Sequence, residues 1–113
     1  MAVATFLRFE RLTPERYNRL VVSLGLDANL PPGHILHVAS EVEDAFECCD
    51  LWWTKEAAIA FLEQRFRQAL VKVGVDPPAV RIAPLYNLYA PDVEAIQRLG
   101  PMSLPAGLAA ALL

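Results

Sequence analysis

A chain of 113 residues is long enough for one domain with a single core. Hydrophobic residues make up 55% of it and charged residues only 20%, which is more apolar surface than a small monomer hides, so an oligomer is expected. The net charge of −3 with no basic run argues against nucleic acid as a partner, and no Walker loop or dinucleotide fingerprint is present to hold phosphate.

In chain order, Val3–Phe9 reads as a first strand, with Thr5, Leu7 and Phe9 on one face and Phe6 and Arg8 on the other. Thr13-Pro14-Glu15 then opens a helix: Thr13 is the N-cap, Pro14 fits the first helical position, and Glu15 suits the positive end of the helix dipole. Leu12 and Tyr17 are spaced to staple the helix start, and Tyr17, Leu20, Val21 and Leu24 make one apolar stripe. Gly25 ends the helix, and Leu26 follows it for the hydrophobic contact of such a cap. A loop from Asp27 to Gly33 closes on Pro31-Pro32-Gly33. His34–Ala39 is the second strand, and the acidic Glu41–Asp44 turns it back as a hairpin.

The stretch from Ala45 to Ala58 organises the rest: a strand running directly into a helix capped by Thr54. Phe46, Cys48, Asp50 and Trp52 share one strand face, while Glu47, Cys49, Leu51 and Trp53 share the other. Neither face is polar throughout, so both are expected to be covered, and an acid in such a strand must be paired or used. Ala58, Leu62, Phe66, Ala69, Leu70 and Val73 form the buried stripe of the second helix, which Gly74 ends. Val80–Tyr89 reads as the fourth strand, with Pro84 implying an edge or a bulge, and 91–99 as a short third helix. The order β-α-β-β-α-β is the ferredoxin-like arrangement, an α+β fold with two helices on one face of a four-stranded antiparallel sheet. The other sheet face is also apolar, so a twin subunit is expected to cover it. Residues 1–89 make this domain; residues 90–113 add the short helix and an uncharged Ala/Leu-rich tail, expected to dock through Met102, Leu104 and Leu108.

No signal peptide pattern or membrane-spanning run is visible, so no membrane partner is expected. Cys48 and Cys49 are adjacent and would point to opposite faces of a strand, which prevents a bridge between them and leaves free thiols suited to the cytoplasm. No His, Asp or Glu pair shows metal-ligand spacing on one element.

Three stretches carry a family likeness: Leu12–Tyr17, Pro31–Ala39, and Asp50-Leu51-Trp52-Trp53-Thr54-Lys55-Glu56-Ala57. They resemble small proteins of the dimeric α/β-barrel superfamily, the antibiotic-biosynthesis-monooxygenase-like domains among them, over residues 1–89. The last stretch is similar to a family pattern of Asp, an aliphatic, Trp, any residue, Ser or Thr, any residue, Glu, Ala; Trp53 stands where a polar residue is more usual. The resemblance implies two sheets packed face to face and a pocket in each subunit between sheet and helices. It also implies a spread of functions: cofactor-free oxygenases, polyketide cyclases, muconolactone-type isomerases, haem-degrading enzymes and members of no known activity. Haem-degrading relatives use an Asn in the first strand and a His in the second helix; 2–9 has no Asn and 54–73 no His.

Joined to the resemblance, the polar residues in strands suggest a site. His37 would be a general base near neutral pH, or a core histidine bonded to an acceptor. Asp50 would orient His37 or hold a substrate hydroxyl, unless it pairs with Arg8 or Arg81. Trp52 would stack a flat ligand at the pocket wall, or fill core; Trp53, facing the other way, would meet the twin. Tyr86 or Asn87 would donate to a developing enolate or phenolate. Cys48, on the face of Asp50 and Trp52, is counted among the ligand contacts, although structural roles suit both cysteines better. His34 only opens its strand. The expected function is a cofactor-independent cyclisation, isomerisation or oxygenation of an aromatic or polyketide-like intermediate. The alternative is a non-catalytic dimeric domain that binds a ligand or serves as an accessory subunit, with His37 and Asp50 saturated by protein partners and no room beside them.

Overall fold

In the computed structural model, which describes residues 1–26 and 28–99, each helix begins and ends where local chemistry dictates. The first strand, β1, is Val3–Glu10 and the first helix, α1, is Pro14–Leu24. Thr13 caps α1 by accepting from the Arg16 amide at 3.2 Å. Gly25, at φ 59°, turns the chain out of the helix while its amide donates to the carbonyls of Val21 and Val22. Strands β2 (His34–Val42) and β3 (Ala45–Trp52) form the expected hairpin, with β2 running further than Ala39 because Ser40, Glu41 and Val42 all find partners on β3.

Thr54 caps the second helical run, accepting from the Ala57 amide at 3.1 Å. That run is not one uniform helix. It consists of α2 (Lys55–Phe61), a π-helical turn (Leu62–Phe66) and α3 (Arg67–Val73), which Gly74 ends at φ 75°. Two arginines tie the helices together at their C-termini. Arg16 donates to the carbonyl of Gly74, and Arg65 donates to those of Leu24 at 2.6 Å and Gly25 at 3.3 Å, filling acceptors that helix ends leave open.

Strand β4 is Ala79–Pro84, shorter than the expected Val80–Tyr89. Its partner explains the stop: β1 begins at Val3, which pairs with Pro84, and among the described residues one further backbone bond follows, from the Leu85 amide to the Ala2 carbonyl at 2.9 Å. Tyr86 and Asn87 therefore leave the sheet. Helix α4 (Val93–Leu99) starts with Asp92 accepting from the Ala95 amide at 2.9 Å. The expected helix stop at Gly100-Pro101 and the docking of Met102, Leu104 and Leu108 lie outside the described residues, as does Asp27.

The sheet order β2-β3-β1-β4, antiparallel throughout, is that of the ferredoxin-like fold. Pairing fixes the two faces. Thr5 faces Asp50 and Ile82, and Leu7 faces Cys48 and Val80; these residues look toward the helices. Phe6 faces Cys49 and Arg81, and Arg8 faces Glu47; these look away from them. The main core lies under the helices, where Leu7, Phe9, Leu20, Phe46, Phe66 and Leu70 pack together. A smaller cluster joins Val3, Trp52 and Ala58.

One irregularity bears on the site. Between His34 and Leu36 the pairing shifts, because His34 faces Trp52 while Leu36 already faces Leu51. Ile35 is the extra residue of a β-bulge. Strict alternation would put His34 and His37 on opposite faces; the bulge puts both on the helix side. Gly33 sets this entrance to the strand. Its φ is 80°, and a Cβ there would stand 2.9 Å from Ala57 Cβ, so only glycine lets the chain pass the start of α2.

Candidate functional site

Asp50 stands at the centre of the helix-covered face, 7% exposed. Its Oδ1 accepts from two histidines, His34 Nε2 at 2.8 Å and His37 Nδ1 at 2.8 Å. Burial works against the charge of this carboxylate, but the hydrogen bonds from His34 and then His37 outweigh it and hold the carboxyl below its ordinary range. The expected alternative pairing with Arg8 or Arg81 does not occur, because register puts both arginines on the opposite face. Arg8 pairs with Glu10 and Glu47, and the Arg81 guanidinium lies 4.4 Å above the centre of the Phe6 ring.

His37 is bonded at both ring nitrogens. Beyond Nδ1, its Nε2 lies 2.9 Å from the hydroxyl of Tyr17, which α1 brings over the strand. The Tyr17 ring stacks on Phe46, centroids 5.0 Å apart at 7°, and this fixes where the hydroxyl points. Burial, with Cys48 and Asp50 nearby, raises the Tyr17 phenol above its ordinary value, so it stays protonated at neutral pH. A protonated phenol donates to Nε2, which makes His37 the Nδ1–H tautomer donating to Asp50. A continuous chain of hydrogen bonds results, running from Tyr17 through His37 to Asp50.

This chain borders a cavity of about 170 Å³ between sheet and helices. Tyr17, His34, His37, Asp50 and Cys48 give it a polar side, and aliphatic and aromatic side chains of α1, β1 and the second helical run complete it. Of the residues expected to form a site, His37, Asp50 and Cys48 meet here. Burial, with Asp50 and Cys49 beside it, pushes the Cys48 thiol up to about 12, so it is an unreactive wall at neutral pH.

The other expected residues stand elsewhere. Trp52 is 1% exposed and sits behind the wall: its Nε1 donates to Thr5 Oγ1 at 3.2 Å, and its ring packs 4.5 Å from His34 and 5.2 Å from Phe61. It supports His34 and does not line the cavity. Tyr86 is fully exposed and Asn87 exposed, both beyond the end of β4 and apart from the cavity. Trp53 is 66% exposed just past β3.

Two residues of the site escaped sequence reasoning. His34 reaches Asp50 only through the bulge at Ile35, which has no signal in the sequence. Tyr17 was placed correctly in the apolar stripe of α1, but its hydroxyl was not assigned a partner. A buried-stripe tyrosine opposite a strand histidine was the available clue. Among the described residues no group of three or more His, Cys, Asp or Glu is placed to hold a metal ion. His34 and His37 turn their nitrogens to one carboxylate oxygen and not to a shared open point.

No protein-family profile matches this chain, and no curated protein sequence matches it. Solved structures do. A putative antibiotic biosynthesis monooxygenase from Chloroflexus aurantiacus superposes with a TM-score of 0.58 at 16% identity, covering 80% of this chain and 98% of that one. SnoaB, a cofactor-independent oxygenase from Streptomyces nogalater, gives 0.62 at 14% identity over 80% and 97%. A protein of unknown function from Nitrosomonas europaea gives 0.62 at 22% identity over 80% and 94%. At these identities the likeness is one of fold: the chain has the ferredoxin-like architecture found in antibiotic-biosynthesis-monooxygenase-like proteins.

Proposed function

We propose that this protein is a small-molecule enzyme that removes a proton from an aromatic or polyketide-like intermediate held between its sheet and its helices. The observation that carries this reading is the chain from Tyr17 through His37 to Asp50, bordering an apolar cavity. A substrate hydroxyl or enol beside Tyr17 passes its proton to the Tyr17 oxygen while the tyrosine's own proton passes to His37 Nε2. The substrate keeps the electron pair as a phenolate or enolate, Tyr17 stays neutral and donates to it, and Asp50 stabilises the imidazolium. Tyr17 thus serves as the oxyanion donor sought at Tyr86 or Asn87. The carbanion form of the substrate then takes a proton at another atom, closes on a carbonyl, or reacts with dioxygen, giving isomerisation, cyclisation or oxygenation. These steps call for no cofactor. SnoaB, which shares the fold, is a cofactor-independent oxygenase.

The working unit in this reading is a homodimer. The sheet face away from the helices presents Phe6, Leu36, Val38 and Cys49, with Val38 49% exposed, and a second copy packed face to face would cover it. Free thiols at Cys48 and Cys49 fit a reducing compartment such as the cytoplasm.

One observation favours a second reading, a non-catalytic ligand-binding or accessory domain: both nitrogens of His37 already have protein partners. Deuterium incorporation from D2O into the ring of 3-methoxyphenol, which follows loss of its hydroxyl proton, separates the two when followed by NMR. An enzyme accelerates exchange over buffer, and His37→Asn or Tyr17→Phe reduces the acceleration by about 100-fold. Binding of 3-methoxyphenol with no acceleration supports the accessory reading.

A further inference from the structure

The π-helical turn at Leu62–Phe66 lies beside the cavity, and its geometry has a consequence for what the cavity accepts. Phe61 and Phe66 are five residues apart. In a regular α-helix, at 3.6 residues per turn, they would point about 140° apart. The wider π turn brings position i+5 back under position i. Both rings therefore line the cavity, with centroids 5.8 Å apart. Phe61 lies nearly parallel to His34 at 6.5 Å, and Phe66 meets Phe9 edge-on at 6.2 Å. The turn is anchored from outside by Arg65, which donates to the Leu24 and Gly25 carbonyls at the end of α1. The helix carrying Tyr17 and the helical run carrying the two phenylalanines are thereby held together, and the width between them is set by structure on both sides.

The partly open space between sheet and helices is about 170 Å³. Pockets for drug-sized ligands run to roughly 300–1,000 Å³, whereas a cavity of roughly 150 Å³ holds one benzene. We infer that Phe61 and Phe66, paired on one wall by the π turn, restrict this site to single-ring ligands bearing one ionisable hydroxyl, and exclude fused polycyclic ones. The ring lies against the two phenylalanines and the hydroxyl meets Tyr17. This inference rests on the proposed function for the site and narrows its substrate class: a polyketide-like substrate would be a one-ring product of an earlier cyclisation.

Isothermal titration of the full chain with phenol, 1-naphthol and 9-phenanthrol tests it. The wild type should bind phenol, with affinity falling at each added ring and 9-phenanthrol weaker by about tenfold or more. Phe61→Ala should reverse that order; Phe61 is half-buried, so the variant is expected to fold, and circular dichroism checks that it does. Should it unfold, Phe66→Leu makes the same test with a smaller change in volume. Equal or tighter binding of 9-phenanthrol by the wild type overturns the inference while leaving the proposed function standing. The same holds if a folded Phe61→Ala or Phe66→Leu keeps the wild-type order. If none of the three phenols binds, the cavity is not a ligand site, and the proposed function falls together with its size limit.

Discussion

The two faces of the sheet use the same four strands and the same alternation, yet they treat polar residues in opposite ways. On the helix side, Thr5 and Asp50 are buried and each has a defined partner: Thr5 takes the Trp52 indole, and Asp50 takes His34 and His37. On the other side, the charges of Arg8, Glu47 and Arg81 are exposed around an apolar centre of Phe6, Val38 and Cys49. A buried carboxylate is tolerated only where donors outnumber the cost of losing water. A ring of exposed charge around an apolar centre is what an interface between copies presents. In the proposed reading, chemistry belongs to the first face and association to the second.

The largest contrast should come from removing the centre of each polar group. Asp50→Ala leaves a part-buried His34 and a more exposed His37 without their acceptor and should cost about 2 kcal/mol in urea unfolding. Arg8→Ala, which breaks only exposed pairs, should leave the urea midpoint unchanged. Equal losses would erase the distinction between the faces. Next in size is an association effect. Val38→Asp places a charge in the apolar centre of the open face; light scattering should then report the single-chain mass of 12.5 kDa, against twice that for the wild type, with the cavity still able to bind ligand.

Acid stability sharpens the same comparison. The Asp50 carboxyl is held below its ordinary value in the folded protein, so its contribution is complete above the ordinary carboxylate range and is lost as pH falls through the folded value. Thermal melts from pH 6 downward should show that loss, and Asp50→Asn should flatten it. A subtler readout is thiol alkylation. Cys49, half-buried on the open face, should react before Cys48, whose thiol is buried in the cavity wall and pushed up to about 12. Cys49 should also become protected as the protein concentration rises and copies associate.

Most of the architecture was legible because caps and periodicity are local. Thr13, Thr54, Gly25 and Gly74 mark helix ends by their own hydrogen bonds and backbone angles. The strand faces of β3 followed from alternation alone. What alternation could not supply was anything that breaks it. The bulge at Ile35 brought His34 to Asp50, and the π turn brought Phe61 and Phe66 together; each needs one residue beyond the regular repeat. Tyr86 and Asn87 were misplaced for a different reason: β4 can run only as far as β1 provides partners, and that limit lies at the other end of the chain. Asp50 was recognisable because an acid in a strand with apolar residues on both faces calls for a partner, and His37 because a strand histidine can serve as a base, although which partners they take depended on register.

The central claim, that the chain from Tyr17 to Asp50 accepts a proton from a ligand in the cavity, is tested most directly with 4-nitrophenol, whose phenolate and phenol differ in colour. Its absorption spectrum should be recorded with excess protein at a pH below the compound's own pKa. The account predicts that the bound compound shows the phenolate band, with its apparent pKa lowered by about one unit or more, and that Tyr17→Phe and His37→Asn each abolish the band while the fold is kept. A bound compound that remains the neutral phenol, or a phenolate band that survives both substitutions, would contradict it.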